Sequence, residues 1–255
     1  MISILKKELN SFFNTSTGYL VILIFLITSG LFLWVFPTSF NLLESNHAGL
    51  DGFFLIAPWI FLFLIPALTM RFFSEEFKTG TIELLLTKPI SEFELVMGKY
   101  FAGLVLCLIS LTPSLIYLLS IFHLGLPKGN IDWGATLGSY IGLIFLSGIY
   151  VSIGTFASSI TNNQMVAFMI SFFLCFFSFI GFDQVGLLWA HSGAQLSLEK
   201  IGINYHYNTI SRGVIDTRDI IYFLSYIAFF LLASKRSLQN KKWSWEVEKQ
   251  MRLSY

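Results

Sequence analysis

Residues that could take part in chemistry are concentrated in one charged stretch, from Arg71 to Lys99. Elsewhere the four histidines stand without metal-ligand spacing, and no HExxH motif occurs. Gly98-Lys99 lacks the upstream glycine of a phosphate-binding loop, so we expect this chain to bind no nucleotide and to be no enzyme. Cys107 and Cys175 lie in apolar runs without CxxC spacing, which predicts neither a disulfide framework nor a metal site.

The most distinctive pattern in this stretch follows Gly80, which permits a sharp turn or a helix end. Thr81 to Leu86 can then form a short helix that Lys88-Pro89 terminates. Such a helix has Ile82 on an apolar side and Glu83 on another. An apolar knob flanked by acid suits a groove on a soluble partner. The pattern leaves a second interpretation open, in which the leucines of an interfacial helix rest among lipid headgroups.

The composition indicates that the elements around this stretch lie in a membrane. Of the 255 residues 55% are hydrophobic and only 12% are charged, whereas a soluble domain carries about 25% charged residues. The formal net charge of +1 gives no reason to expect a nucleic acid partner. We therefore predict a multi-pass membrane protein.

Six apolar runs approach the 20 or so residues that a membrane-spanning helix needs. The fourth and fifth result from dividing one uncharged stretch at its polar hinge, Ser158 to Gln164. The sixth is short and spans only if its flanking basic residues reach the interface. The runs extend from Tyr19 to Phe40, Phe53 to Met70, Tyr100 to Phe122, Trp133 to Ser158, Gln164 to Phe182 and Ile220 to Ser234.

The placement of lysine and arginine predicts the orientation, because basic residues in short loops stay on the cytoplasmic side. With six spans and both termini in the cytoplasm, twelve of the 16 basic residues lie inside. A five-span arrangement would put the basic tail outside, so we reject it. The predicted fold is a single all-α membrane domain over residues 1–255.

Two flanking segments differ from the spans. The first 14 residues, within a segment taken as 1–16, have an apolar face opposite a polar one, which predicts an amphipathic helix in the inner interface. A frayed extension is the alternative. Residues 183–219 form the longest predicted external segment, and we expect short helices there.

Gly138 and Gly142 form a GxxxG pattern in the fourth run, which lets two helix backbones approach closely. Packing within the subunit and packing against a partner are equally compatible with it. The interiors of the six runs carry no Asp, Glu, Lys, Arg or His, which argues against an ion-coupled carrier.

Several motifs closely resemble those of permease subunits of type 2 ATP-binding-cassette (ABC) exporters, in order and spacing over nearly the whole chain. Within that family the chain looks most like the gliding-motility-associated permease, with nitrous-oxide-reductase maturation permeases as close relatives. The matching segments are Lys7 to Leu9, Gly18-Tyr19, Thr69 to Glu76, Gly80 to Leu85, Thr87 to Ile90, Ile153-Gly154 and Ser158 to Gln164.

The resemblance implies six helices preceded by an interfacial elbow helix. It also implies a second permease subunit, more consistent with a hetero- than a homodimer, in contact with membrane lipid. Two cytoplasmic ATPase subunits would bind ATP and Mg, while this chain would bind no cofactor. Residues 74–98 would form the cytoplasmic coupling loop, and ATPase closure would tilt the helices between inward- and outward-facing states in the bacterial inner membrane.

The resemblance also assigns contacts to particular residues. For Glu75 and Glu76 we expect polar contacts to the ATPase or to the elbow helix; a solvated pair is the alternative. The ATPase-coupling residues are Glu75, Glu76, Gly80, Thr81, Ile82, Glu83, Leu84, Leu85, Leu86, Lys88 and Pro89. The second cytoplasmic contact comprises Ser159, Thr161, Asn162, Asn163 and Gln164. The elbow-helix residues are Lys6, Lys7, Leu9, Phe12 and Phe13.

Two other functions remain open. In the first, the permease relays ATP-driven motion to an extracytoplasmic partner, such as surface machinery, without passing a substrate. In the second, a channel or carrier works alone and is active without any ATPase.

Overall fold

A computed structural model describes residues 1–44, 49–82, 90–125, 127–188, 195–214 and 216–253. These residues contain helices and no strand. The helices are α1 Ile2–Asn14, α2 Ser16–Trp34, α3 Asp51–Thr69, α4 Ser74–Thr79, α5 Glu92–Leu111, α6 Leu115–Leu124, α7 Trp133–Ile160, α8 Gln164–Phe176, α9 Phe182–Leu188, α10 Gln195–Glu199, α11 Ile203–Ser211 and α12 Thr217–Leu253. A 3₁₀ turn, Thr112–Ser114, joins α5 to α6, and a π-helical turn, Phe177–Gly181, joins α8 to α9.

Five helical stretches are long and apolar enough to cross a membrane, and a sixth crossing results if a bent pair counts as one span. That pair is Ile2–Asn14 with Gly18–Trp34, and its two parts meet at 68°. A Cβ atom on Gly18 would lie 2.8 Å from the carbonyl oxygen of Phe12, so the close approach at this bend requires glycine. The five stretches are Asp51–Thr79, Glu92–Leu124, Trp133–Ile160, Gln164–Leu188 and Thr217–Trp243.

Helix α7 is the centre of the bundle and contacts α3, α5, α8, α11 and α12. Its middle is buried without interruption from Leu146 to Thr155. Neighbouring helices approach it closely because it is rich in glycine: a Cβ on Gly154 would lie 1.9 Å from Oγ1 of Thr69 in α3. By contrast, α8 and α12 expose large apolar side chains, which suit contact with lipid, including Phe173 and Phe229.

Two short helices, α10 and α11, lie in the segment 183–219 where short helices were predicted, while α9 continues the membrane-capable stretch Gln164–Leu188. Helix α11 buries Ile203, Tyr207 and Ile210, and the hydroxyl of Tyr207 donates to the carbonyl oxygen of Phe54 at 2.7 Å. Helix α11 is therefore packed onto α3 and α7.

Two helices extend beyond the predicted apolar runs. Helix α5 begins at Glu92 because Ser91 and Glu94 form a capping box, in which the Ser91 side chain accepts from the Glu94 amide and the Glu94 carboxylate accepts from the Ser91 amide. Helix α12 continues from the sixth run to Leu253, so its polar half projects past the apolar part of the bundle.

Candidate functional site

A buried group of charges lies at the end of the bundle where α1, α4 and α5 meet. We call Lys7, Glu8, Glu76 and Lys99 the charged junction. Their side chains are 56%, 11%, 11% and 1% exposed, in that order. Charged side chains as deeply buried as those of Glu8, Glu76 and Lys99 require partners, because their desolvation is costly.

Lys99 is the hub of the charged junction. Its Nζ donates to Oε1 of Glu8 at 2.8 Å and to the backbone carbonyl oxygen of Phe72, and lies 3.0 Å from Oε1 of Glu76. The same nitrogen lies 5.1 Å from the centroid of the Phe73 ring, within the range of a cation–π contact. One side chain of α5 thereby holds α1, the turn after α3, and α4.

Lys7 closes the group on its exposed side. Its Nζ donates to Oε1 of Glu76 at 3.1 Å and lies 4.0 Å from Oε1 of Glu8. The two lysines and two glutamates balance in formal charge. Oε2 of Glu76 is buried and has no hydrogen-bond partner within the described part of the chain.

Close packing of α1 on α5 brings Glu8 to Lys99. A Cβ on Gly98 would lie 2.9 Å from two side-chain atoms of Ile4, so glycine at this position lets the helices touch. The ring of Phe12 meets that of Phe72 edge to face at 6.0 Å between centroids. The apolar contacts of α1 therefore lie beside the buried pair of Glu8 and Lys99.

Ser158, at the end of α7, fixes the start of α4. Its hydroxyl accepts from the amides of Phe73 at 2.7 Å and Ser74 at 3.1 Å, and contacts the carbonyl oxygen of Met70 at 3.3 Å. The N-cap residue of α4, Phe73, supplies no side-chain cap of its own. A serine from a distant helix thus satisfies amides that a helix start leaves free.

The structure distributes the predicted ATPase-coupling residues between the surface and the interior. Glu75 and Thr81 are exposed, and Gly80 ends α4 in a left-handed conformation at φ 71°. Glu76 points inward to α1 and α5, which is the elbow-helix contact that was one of its expected partners. Ile82 differs from the expectation of an exposed apolar knob: it is 1% exposed because it packs into the core of its own chain. The described residues do not include Glu83, Leu84, Leu85, Leu86, Lys88 and Pro89.

The residues predicted to make a second contact lie at the turn between α7 and α8. Ser159 is buried and its carbonyl oxygen accepts from the hydroxyl of Ser237 at 3.0 Å. Asn163 caps α8 by accepting from the Met165 amide. Thr161, Asn162 and Gln164 line a cavity beside that turn.

Helix α12 contacts the α7–α8 turn, α4 and the start of α5 through two lysines. Nζ of Lys241 donates to Oδ1 of Asn162 at 3.2 Å and lies 3.6 Å from the centroid of the Phe77 ring in α4. Nζ of Lys242 pairs with Oε1 of Glu92 at 3.1 Å, at the start of α5. The start of α5, α4 and the α7–α8 turn are therefore all connected to α12.

Of the predicted elbow-helix residues, Phe12 is buried, Leu9 and Phe13 are partly buried against the core, and Lys6 and Lys7 are exposed. Gly138 and Gly142 pack within the chain: their added Cβ atoms would lie 2.4 Å from the carbonyl oxygen of Ile210 and 3.3 Å from the ring of Tyr207. The GxxxG pattern therefore serves packing within the subunit, which was one of the two alternatives that the sequence left open.

The sequence does not single out Glu8 or Lys99 as site residues, and it places Ser158 at the second cytoplasmic contact, not at the start of α4. Lys99 belongs to the charged stretch that precedes the third predicted run, although the Ser91-to-Glu94 capping box signals a helix that includes it. No group of three or more metal-ligating side chains occurs within the described ranges. The charged junction has the geometry of a mechanical connection between helices.

A sequence model described as "ABC-2 family transporter protein" matches residues 2–244. A search of curated proteins finds no match.

Proposed function

We propose that this chain, which belongs to the ABC-2 family of transporter proteins, is the permease subunit of an ABC exporter and is driven by a separate cytoplasmic ATPase. The observation that carries the proposal is the contact of Lys99 with α1, α4 and the turn after α3. The chain itself takes no part in ATP hydrolysis; it converts the motion of its partner into motion of membrane helices.

The charged junction connects residues 80–89 to the membrane helices. Residues 80–89 follow directly after α4, so a force on them is applied to α4 first. Glu76 passes that force to Lys99 of α5 and Lys7 of α1, while Ser158 passes it to α7. The ends of three spans then move together with the elbow helix when the ATPase closes.

In the same proposal, this chain is one subunit of a larger complex. Two ATPase subunits bind ATP and Mg, and a second, non-identical permease subunit lies beside this chain in the bacterial inner membrane. The chain crosses the membrane six times with both termini in the cytoplasm, which twelve of its 16 basic residues support. Its motifs favour a role related to gliding motility or to surface machinery.

A second candidate function is transmission of motion without transport. Within the described ranges, the buried charged residues all lie outside the six apolar runs, and the buried middle of α7 is mostly apolar; they are Glu8, Glu76, Lys99 and Asp219. An apolar interior suits either a hydrophobic cargo or a relay to an extracytoplasmic partner. ATP-dependent cargo movement by the complex in sealed vesicles would support transport, and hydrolysis without any movement would support the relay.

The experiment that tests the permease role is purification of the tagged chain from its native membranes, followed by measurement of Mg-ATP hydrolysis. We expect the wild-type preparation to contain an ATPase subunit and to hydrolyse ATP. Glu83→Lys and Leu85→Asp should each reduce the bound ATPase and the activity. Lys128→Glu, on an exposed residue of the α6–α7 connection, should change neither. Normal binding and hydrolysis in both loop variants would refute the coupling assignment.

A further inference from the structure

A histidine–aspartate pair joins α11 to the start of α12. Nδ1 of His206 lies 2.6 Å from Oδ1 of Asp219. The two side chains are only 13% and 6% exposed. The His206 ring also stacks on the ring of Tyr222, with 3.9 Å between centroids and 23° between planes. The pair is therefore an interior contact, unlike the surface ion pairs that contribute little to stability.

Both ring nitrogens of His206 face oxygen atoms that accept hydrogen bonds. Nε2 lies 2.9 Å from the backbone carbonyl oxygen of Lys200, which can only accept. An ionised Asp219 carboxylate also can only accept. A neutral imidazole has a single N–H, so it can donate to one of these two oxygens but not to both. The two contacts are made together only when the pair holds one proton more than a neutral histidine beside a carboxylate.

The surroundings of the pair favour a positive ring beside a negative carboxylate. Asp219 lies in the first turn of α12, where the partial positive charge of the helix N-terminus stabilises an anion. Tyr222 presents the negative face of its ring to the imidazole. Its hydroxyl donates to the carbonyl oxygen of Ile201 at 2.6 Å, which fixes its position. Oδ2 of Asp219 is buried without a hydrogen-bond partner among the described residues, so His206 is the side-chain donor that they provide for this carboxylate.

The other charged groups around α11 do not contact His206 in the described part of the chain. Helix α7 and the π-helical turn, which pack against α11, contain no Asp, Glu, Lys, Arg or His. The nearby carboxylates have other donors: Asp183 accepts from Asn204, Glu199 from Gln195, and Asp216 from the Arg218 amide. The remaining charged side chains nearby are exposed, and they are Asp51, Lys200, Arg212 and Arg218.

We propose that the pair of His206 and Asp219 is a proton-binding site, and that the bound proton holds α11 against α12. On its other side α11 is attached to α3 through the hydroxyl of Tyr207 and the carbonyl oxygen of Phe54. Loss of the proton leaves a ring nitrogen and an oxygen facing each other without a hydrogen, so the contact opens. In the orientation of the proposed function this face is extracytoplasmic, and the site responds to the pH outside the cell.

The direction of the pH dependence follows from proton linkage. A histidine in water loses its proton near pH 6.5, at about its ordinary titration point, and an aspartate is by then ionised. Above that pH, closing the contact takes up one proton, so the fraction of open contacts rises by up to about tenfold per pH unit. Between about pH 5 and pH 6.5 the open form also holds the proton, and the contact keeps its full strength. Alkaline conditions therefore loosen α11.

The test measures hydrogen exchange of the full-length chain in lipid nanodiscs, from about pH 5.5 to about pH 9, a range that brackets the ordinary titration of histidine. The readout is the exchange rate of the α11 amides divided by that of the α7 amides in the same sample, so that the intrinsic pH dependence of exchange cancels. We expect a constant ratio below about pH 6.5 and an increase of up to about tenfold per pH unit above it. A ratio that stays constant over the whole range would overturn the proposal.

Asp219→Asn separates the proton from the packing. Its side-chain amide can donate to Nδ1 of a neutral His206, whose Nε2–H still donates to the Lys200 carbonyl oxygen. Both contacts then form without an extra proton, so the ratio should stay low at every pH. His123→Gln, on an exposed histidine, is the control and should keep the wild-type pH dependence.

A pH dependence in Asp219→Asn equal to that of the wild type would show that the proton is bound elsewhere and would overturn the proposal. If Asp219→Asn does not fold, His206→Gln takes its place. It should give a raised ratio that no longer changes with pH, because glutamine does not titrate in this range. A wild-type pH dependence that persists in His206→Gln would also overturn the proposal. All of these results leave the permease role intact, since none of them involves the ATPase.

Discussion

Nζ of Lys99 lies 2.8 Å from Oε1 of Glu8, although the two residues are 91 positions apart in the chain. Both are buried, and the pair joins the first helix of the protein to the span that follows the charged stretch. Glu76 shares the same lysine at 3.0 Å, so three helices depend on one cation.

The first prediction concerns the loss of that cation. Lys99→Met should lower the melting temperature in detergent, with a loss of stability of about 3–5 kcal/mol, because it leaves two carboxylates buried beside one remaining lysine. Replacing Glu8, Glu76 and Lys99 together by Gln, Gln and Met should recover most of that loss, since no buried charge is then left without a partner. If the loss of stability of the triple variant equalled the sum of the losses of the three single variants, the three residues would not form a coupled network.

The second prediction concerns the start of α4. Ser158→Ala removes the acceptor of the Phe73 and Ser74 amides and should cost about 1–2 kcal/mol, as the loss of a helix cap does. Hydrogen exchange at both amides should become faster. Ser152→Ala is the matched control, because among the described residues the hydroxyl of Ser152 bonds only to a carbonyl of its own helix, that of Ile149. Equal exchange rates in the two variants would argue against the cap.

The third prediction concerns the contact of α3 with α7. Gly154→Ala places a methyl group 1.9 Å from Oγ1 of Thr69, so one helix must shift and folded yield should fall sharply. Adding Thr69→Ala removes that oxygen and should restore part of the yield. Gly134→Ala, in the same helix, meets its nearest neighbour at 3.4 Å and should leave the yield unchanged or raise it slightly. If Gly154→Ala folds as well as Gly134→Ala does, α3 and α7 do not approach each other as closely at Gly154 as the structure indicates.

The membrane character and the all-helical fold were predictable from the sequence because they depend on local composition. Long apolar runs without charge indicate spans whatever their neighbours are. The helix limits were less accurate: α5 begins at Glu92 and α12 continues to Leu253, since a helix does not end where the apolar residues end. The amphipathic pattern before residue 15 corresponds to α1.

The charged junction could be predicted only in part. The sequence singles out Glu76 and Lys7 as charged residues near an interface, but the side of α4 that carries Glu76 depends on the turn at residues 70–73. The pairing of Lys99 with Glu8 depends on how α1 packs on Gly98, which is a tertiary contact. Ile82 illustrates the same limit, because the periodicity of a short helix does not reveal which apolar side faces the chain's own core.

The most direct test of the central claim, that the charged junction moves as one body, measures a single distance in the complex in lipid nanodiscs. Spin labels at Lys6→Cys in α1 and Glu75→Cys in α4 use two exposed positions, while the native Cys107 and Cys175 are buried. We expect one narrow distance distribution in the wild-type background, the same with ADP and with ATP plus vanadate. In a Lys99→Met background the distribution should broaden and become dependent on nucleotide. A wild-type distance that changes when ATP is added would contradict the account.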